Sequence, residues 1–164
     1  MKQELTRIVP MIRRFAYSLT GSYADADDLL QSTVEKILSK PVPEDAELSQ
    51  WAFRICRNLW IDEFRARKIR QHDQIEETEV DSTDLAPEQT HQSSANVKQI
   101  HAAMDVLPAD QRSIISLVAI QGMSYKEVAS TLSVPVGTVM SRLARARASL
   151  SQYLKHQLGE ASYE

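Results

Sequence analysis

Apolar residues recur along this chain at intervals of three and four, the period of a helix with one buried face, and sustained strict alternation is rare. Leu5, Ile8, Val9, Ile12, Phe15, Ala16 and Leu19 form the first such series and predict a helix over roughly Leu5 to Leu19. Pro10 interrupts it and marks either a start or a kink. Gly21 closes this element. Ser22, with Asp25 three positions on, has the form of a capping box opening a second helix that extends to about Ser39. Pro41 and Pro43 enforce a loop, and a long helix is predicted from about Ser49 to Arg70.

Residues 73–95 carry no helical apolar period and divide the chain. Beyond them the pattern predicts a helix over Val97 to Val106. A second begins at Leu107-Pro108, with the proline in the first turn, and ends at Gly122. Ser124 and Glu127 form a capping box for a short helix to Leu132 that buries Tyr125, Val128, Ala129 and Leu132. Ser133-Val134-Pro135 breaks it, and a last helix runs from about Val136 to Leu158. The expected fold is all-α: two small helical domains, residues 1–72 and 96–164, joined by an acidic flexible linker, residues 73–95.

Composition supports helices, with few consecutive β-branched residues and 4 glycines in 164 positions. The single cysteine, Cys56, rules out an internal disulfide and is expected in the core. No apolar run approaches the roughly 20 residues of a spanning helix, and the N-terminus lacks a signal peptide's apolar stretch, so the expected location is cytoplasmic, without membrane insertion.

A net charge of −3 argues at first against a nucleic-acid partner. Its distribution reverses that reading. Residues 1–72 hold 12 Lys/Arg against 10 Asp/Glu, residues 73–95 hold 0 against 7, and residues 96–164 hold 7 against 5. The negative excess is confined to the linker, which is either a solvated tether or an acidic strand that mimics nucleic acid on a basic surface.

Two short helices joined by a three- or four-residue turn, the second amphipathic and basic, describe a helix-turn-helix. At ~100° per residue, Val139, Leu143, Ala146 and Leu150 share the packed face of the last helix. Gly137, Ser141, Ala144, Arg145 and Ala148 lie opposite, flanked by Thr138 and Arg142. Small side chains let a helix enter the major groove, Arg142 and Arg145 reach guanine edges or phosphates, and Ser141 bonds to either. A merely solvated helix would mix Glu with Arg, yet Val136 to Leu158 contains no acid.

In the long helix of the first domain, Arg54, Arg57, Asn58, Ile61, Arg65 and Lys68 fall on one stripe, with Ala52, Ile55, Cys56 and Leu59 opposite. Such a stripe beside Trp51 suits a phosphate backbone and an unstacked base. On the residues alone, an ordinary solvated helix with Trp51 and Trp60 in the core is the alternative. The acids of the second helix's first turn stabilise its dipole; Asp28 and Gln31, with Leu29 and Leu30, would also suit a partner helix. The four histidines show no metal-ligand spacing, and neither a nucleophile motif nor a glycine-rich phosphate loop is present, so no enzyme, metal or cofactor is expected.

At these residues the chain resembles the extracytoplasmic-function (ECF) subgroup of the sigma-70 family, over nearly its whole length. ADADDLLQSTVEKIL resembles region 2.2, WAFRICRNLWIDEFRARKIR regions 2.3 and 2.4, and LPADQRSIISLVAIQGMSYKEVASTLSVPVGTVMSRLARARASL region 4. The resemblance implies a promoter-specificity subunit of bacterial RNA polymerase that directs transcription initiation by recognising and melting promoter DNA. It implies that Asp28, Leu29, Leu30 and Gln31 meet the β′ clamp helices and that region 4 lies at the β flap. Trp51, Arg54, Arg57, Asn58, Ile61 and Arg65 would bind and open the minus-ten element; Thr138, Met140, Ser141, Arg142 and Arg145 would read the minus-thirty-five element. A separate anti-sigma factor is an implied partner. Ser32 stands where the family often has an acid, which weakens one implied polymerase contact; Met140 and Ala144 depart from residues frequent in the family, so relatives' promoter sequences do not transfer. The competing readings are a sigma-like decoy that sequesters an anti-sigma factor without reading DNA, and a stand-alone repressor.

Overall fold

A computed structural model describes residues 1–73 and 92–161, which form seven α-helices and one π-helical segment; among the described residues there is no strand. The first helix, α1 (Lys2–Thr20), starts earlier than the apolar series and passes through Pro10. That residue is exposed, so water can take the carbonyl it leaves without an amide partner. Gly21 ends α1 in the left-handed conformation, φ 73°, which favours glycine. Ser22 caps α2 (Tyr23–Ser39) by accepting a hydrogen bond from the Asp25 amide. The prolines then separate α2 from α3 (Leu48–Asp73).

Helices α1, α2 and α3 pack mutually around Ile12, Phe15, Leu19, Ile37, Phe53 and Cys56. Phe15 meets Phe53 edge-on, with ring centroids 5.4 Å apart. Thr33 is wholly buried and returns its hydroxyl to the Leu29 carbonyl, which satisfies the one polar group this core takes from α2.

The second half begins with α4 (Gln92–Asp105), whose first residues fall in the stretch expected to be linker. The remainder of that stretch, residues 74–91, lies outside the described residues. The single helix expected from Leu107 to Gly122 is divided. Its first part, α5 (Ala109–Ile115), follows Pro108, and residues Ser116–Ile120 form a wider π-helical turn in which the Gln121 amide donates to the Ser116 carbonyl. Then come α6 (Tyr125–Leu132), capped by Ser124 at the Glu127 amide, and α7 (Val136–Ala161).

The halves do not stand apart. Leu107, Ile114, Leu117, Val128, Val139 and Leu143 join the residues of α1 to α3 in one contiguous hydrophobic cluster. Across the boundary the Ser18 and Ser116 hydroxyls are hydrogen-bonded, Oγ to Oγ at 2.9 Å, and both are buried; the Ser18 proton goes to the Phe15 carbonyl at 2.6 Å, so Ser116 is the donor. The π-helical turn therefore lies where α1 packs. Among the described residues no helix is long and apolar enough to cross a membrane.

Candidate nucleic-acid interface

The last helix presents its face as the periodicity predicts. Val139, Leu143 and Ala146 are buried against α5 and α6, while Gly137, Met140, Ser141, Ala144, Arg145 and Ala148 are exposed. Thr138 and Arg142 are half-buried at the margin. The Ser141 hydroxyl donates to the Thr138 carbonyl at 3.2 Å, which leaves its lone pairs for a donor. The turn before α7 is held by Ser133 in the left-handed conformation, φ 55°, with the Val134 amide bonded to the Ala129 carbonyl. Arg145 makes no ion pair among the described residues.

The α3 stripe is only partly as expected. Arg54, Asn58, Arg65 and Lys68 are exposed. Ile61, expected on that surface, is buried at 7% exposure, because the core face of α3 runs through Ala52, Phe53, Cys56, Trp60 and Ile61 and is wider than the opposition of Ala52, Ile55, Cys56 and Leu59 implied. Trp60 is a core residue. Trp51 is half-buried and shares a cleft of about 400 Å³ with Arg54, Asn58, Lys36 and Lys40. The two lysines were not singled out in the sequence, because their proximity to Trp51 depends on how α2 packs on α3.

Arg57 is also not the free surface cation expected. Its Nη2 lies 2.8 Å from Asp110 Oδ1 and its Nε donates to Ser113 Oγ at 3.0 Å, both acceptors belonging to α5. Burial lowers the affinity of this guanidinium for its proton; Asp110 opposes that, and the positive charges of Arg142, Arg65 and Arg54 add to it. Cationic groups from α3 and α7 thus come within electrostatic reach of one another.

Asp28 and Gln31 are exposed near the start of α2, whereas Leu29 and Leu30 are half-buried and packed on the core. Asp28 and Leu29 open onto a second cleft, about 580 Å³, walled by Leu19, Trp60, Phe64 and Arg112. No group of His, Cys, Asp and Glu suited to a metal ion occurs among the described residues.

The family description "Sigma-70 region 2" matches residues 5–69, and "Sigma-70, region 4" matches residues 97–150. An ECF RNA polymerase sigma factor, EcfG of Rhodopseudomonas palustris, is 34% identical over 94% of this chain and 84% of its own. The chain belongs to the ECF subgroup of the sigma-70 family. SigE of Mycolicibacterium smegmatis, another ECF sigma factor, is 36% identical over 92% of this chain and 60% of its own length. Among solved structures, the sigma factor RpoE in complex with the anti-sigma factor NepR from Bartonella quintana superposes with a TM-score of 0.74 at 33% identity, covering 94% of this chain and 96% of that one. This sigma factor is accordingly a promoter-specificity subunit of bacterial RNA polymerase, with core polymerase and promoter DNA as its partners.

Proposed function

We propose that this sigma factor divides promoter recognition between its two basic surfaces and docks on polymerase through α2. The observation that carries the division is the face of α7: exposed, small-sided, free of acids over Val136 to Leu158, and preceded by a capped helix and a tight turn. Thr138, Met140, Ser141, Arg142 and Arg145 read the minus-thirty-five element there, with the arginines on guanine edges or phosphates.

Trp51, Arg54 and Asn58 bind the minus-ten strand at the cleft they share, where an aromatic wall beside Lys36 and Lys40 suits an unstacked base. Arg57 and Arg65 follow the phosphates. Ile61 supports this surface from within the core instead of touching DNA. Asp28 and Gln31 meet the β′ clamp helices, with Leu29 and Leu30 setting the shape of the contact, and the region-4 half lies at the β flap. The division follows the one read from the sequence: residues 1–72 for polymerase and the minus-ten element, 96–164 for the minus-thirty-five element, and 73–95 between them, of which Asp73 ends α3 and residues 92–95 open α4. The factor acts in the cytoplasm, contributes no chemistry of its own, and is restrained by a separate anti-sigma factor.

A decoy has no need of exposed Arg54 and Arg145, and a stand-alone repressor has no need of the polymerase-facing surface of α2. Transcription reconstituted with purified core polymerase and a genomic promoter library tests the reading. Start sites that depend on the factor support it; DNA binding with no effect on initiation refutes it.

A further inference from the structure

We propose that the cleft of about 580 Å³ walled by α2 and α3 is a small-molecule site, whose ligand is a single carboxylate on an apolar body anchored by Arg112. The cleft also carries Asp28 and Leu29, assigned above to polymerase, but the ligand site stands without that assignment.

The anchor is a donor without an acceptor. Arg112 is 5% exposed, and its three nitrogens fare differently. Nη1 meets Asp105 at 2.6 Å and Nε meets the Ser18 carbonyl at 3.2 Å, whereas Nη2 is buried with no hydrogen-bond partner among the described residues. A guanidinium nitrogen stripped of water and given nothing in exchange is costly to the fold, and an anionic oxygen is the acceptor that satisfies it most strongly. Arg112 forms part of the cleft wall, so the cleft is the side from which such an oxygen arrives.

The rest of the wall selects the ligand. Leu19, Leu29, Trp60 and Phe64 supply apolar and aromatic surface, and the volume falls within the roughly 300–1,000 Å³ typical of small-molecule sites. The Trp60 ring centre lies 6.0 Å from the Arg112 guanidinium, which sets an apolar body beside its carboxylate. Phe64, 38% exposed, has the freedom to swing and admit both. Charge fixes the valence. Arg67 already faces Glu63 at 3.2 Å and Asp25 at 3.9 Å, and Asp105 is held by Arg112. Asp28 has no ion pair among the described residues and repels a dianion. The remaining cations are one open guanidinium nitrogen and the Lys68 ammonium, 5.7 Å from the Phe64 ring centre, so a carboxylate fits and a phosphate monoester does not.

The test titrates the full chain, isotopically labelled, with hydrocinnamate and with octanoate, and reads the NMR signals of the Arg112 guanidinium and the Trp60 indole. Both signals are expected to shift together and to saturate with a Kd of about 1 mM or tighter for at least one of the two probes. The indole signal of Trp51, which is not part of this cleft, should stay in place. The primary amide of hydrocinnamate keeps the body and loses the charge; it should bind at least about tenfold more weakly, the size of one charge-assisted hydrogen bond, and so should phenyl phosphate. Ser32 is an exposed residue of the wall, and Ser32→Tyr places a ring in the cleft, which should abolish the shifts without lowering the melting temperature. Arg112→Lys, measured below its own melting transition, should weaken binding at least about tenfold. Failure of both probes to saturate by about 10 mM, or shifts that persist unchanged in Ser32→Tyr, overturns the site. Equal affinity for the amide overturns the carboxylate, and equal affinity for phenyl phosphate overturns the single charge.

Discussion

Arg112 Nη1 lies 2.6 Å from Asp105 Oδ1 while its Nε reaches the Ser18 carbonyl at 3.2 Å, so one side chain ties α4, α5 and the end of α1 together. Asp105 is largely solvated, at 66% exposure, and the ion pair alone therefore contributes modestly. The larger effects are the buried bond to Ser18 and the packing of the guanidinium near Trp60. Arg112→Ala is expected to cost about 2 kcal/mol, since it leaves a buried carbonyl without its donor and a void beside a tryptophan. Arg112→Lys should recover little, because an ammonium lacks the planar fork that serves both partners. Urea unfolding of the three proteins measures this; a lysine variant as stable as the parent would contradict it.

His101 lies edge-on to Tyr17, ring centroids 4.7 Å apart, and its Nδ1 is buried without a hydrogen-bond partner among the described residues. Burial lowers its pKa from the ordinary 6.5, Arg112 lowers it further, and Asp105 partly opposes them. The folded state thus binds a proton less readily than the unfolded chain, and stability falls as pH drops below about 6.5. Thermal melting between neutral and mildly acid pH should show this decline, and His101→Gln should flatten it. An unchanged pH profile in that variant would place the decline elsewhere.

Cys56 is fully buried, and loss of solvent pushes its thiol up to about 12. The reactive thiolate is then almost absent at neutral pH. Ellman's reagent should leave the native protein unmodified and titrate one thiol after denaturation. Rapid modification of the folded chain would disprove the burial.

Ser133 adopts φ 55° at the turn of the helix-turn-helix, where glycine carries no Cβ penalty. Ser133→Gly is expected to raise stability by up to about 1 kcal/mol without altering promoter choice. A melting temperature that falls would show the serine side chain to be compensating.

Arg145 is exposed and free of ion pairs among the described residues, so its removal leaves the fold undisturbed. Arg145→Ala should weaken holoenzyme binding to promoter fragments by roughly 1–3 kcal/mol, the usual worth of a guanidinium on a base edge. Its affinity for core polymerase should be unchanged. Equal loss of both activities would contradict the division of labour between α7 and α2.

The sequence by itself determined the helices and the chemistry of their faces. The period of Leu5 to Leu19, the caps at Ser22 and Ser124, and the acid-free face of α7 are local properties, set by backbone hydrogen bonding and by the 3.6-residue turn, and they reappear in the structure with their ends shifted by a few residues. Ile61 shows where this reading stops: a helix wheel locates a stripe, but how wide a sector is buried depends on how many neighbours the helix meets. The tertiary structure alone decided which cations are free. Arg57 and Arg145 are indistinguishable as sequence, yet one is clasped by Asp110 and Ser113, more than fifty positions away, and the other faces solvent. Such pairings form between elements distant in the chain, and no local periodicity encodes them.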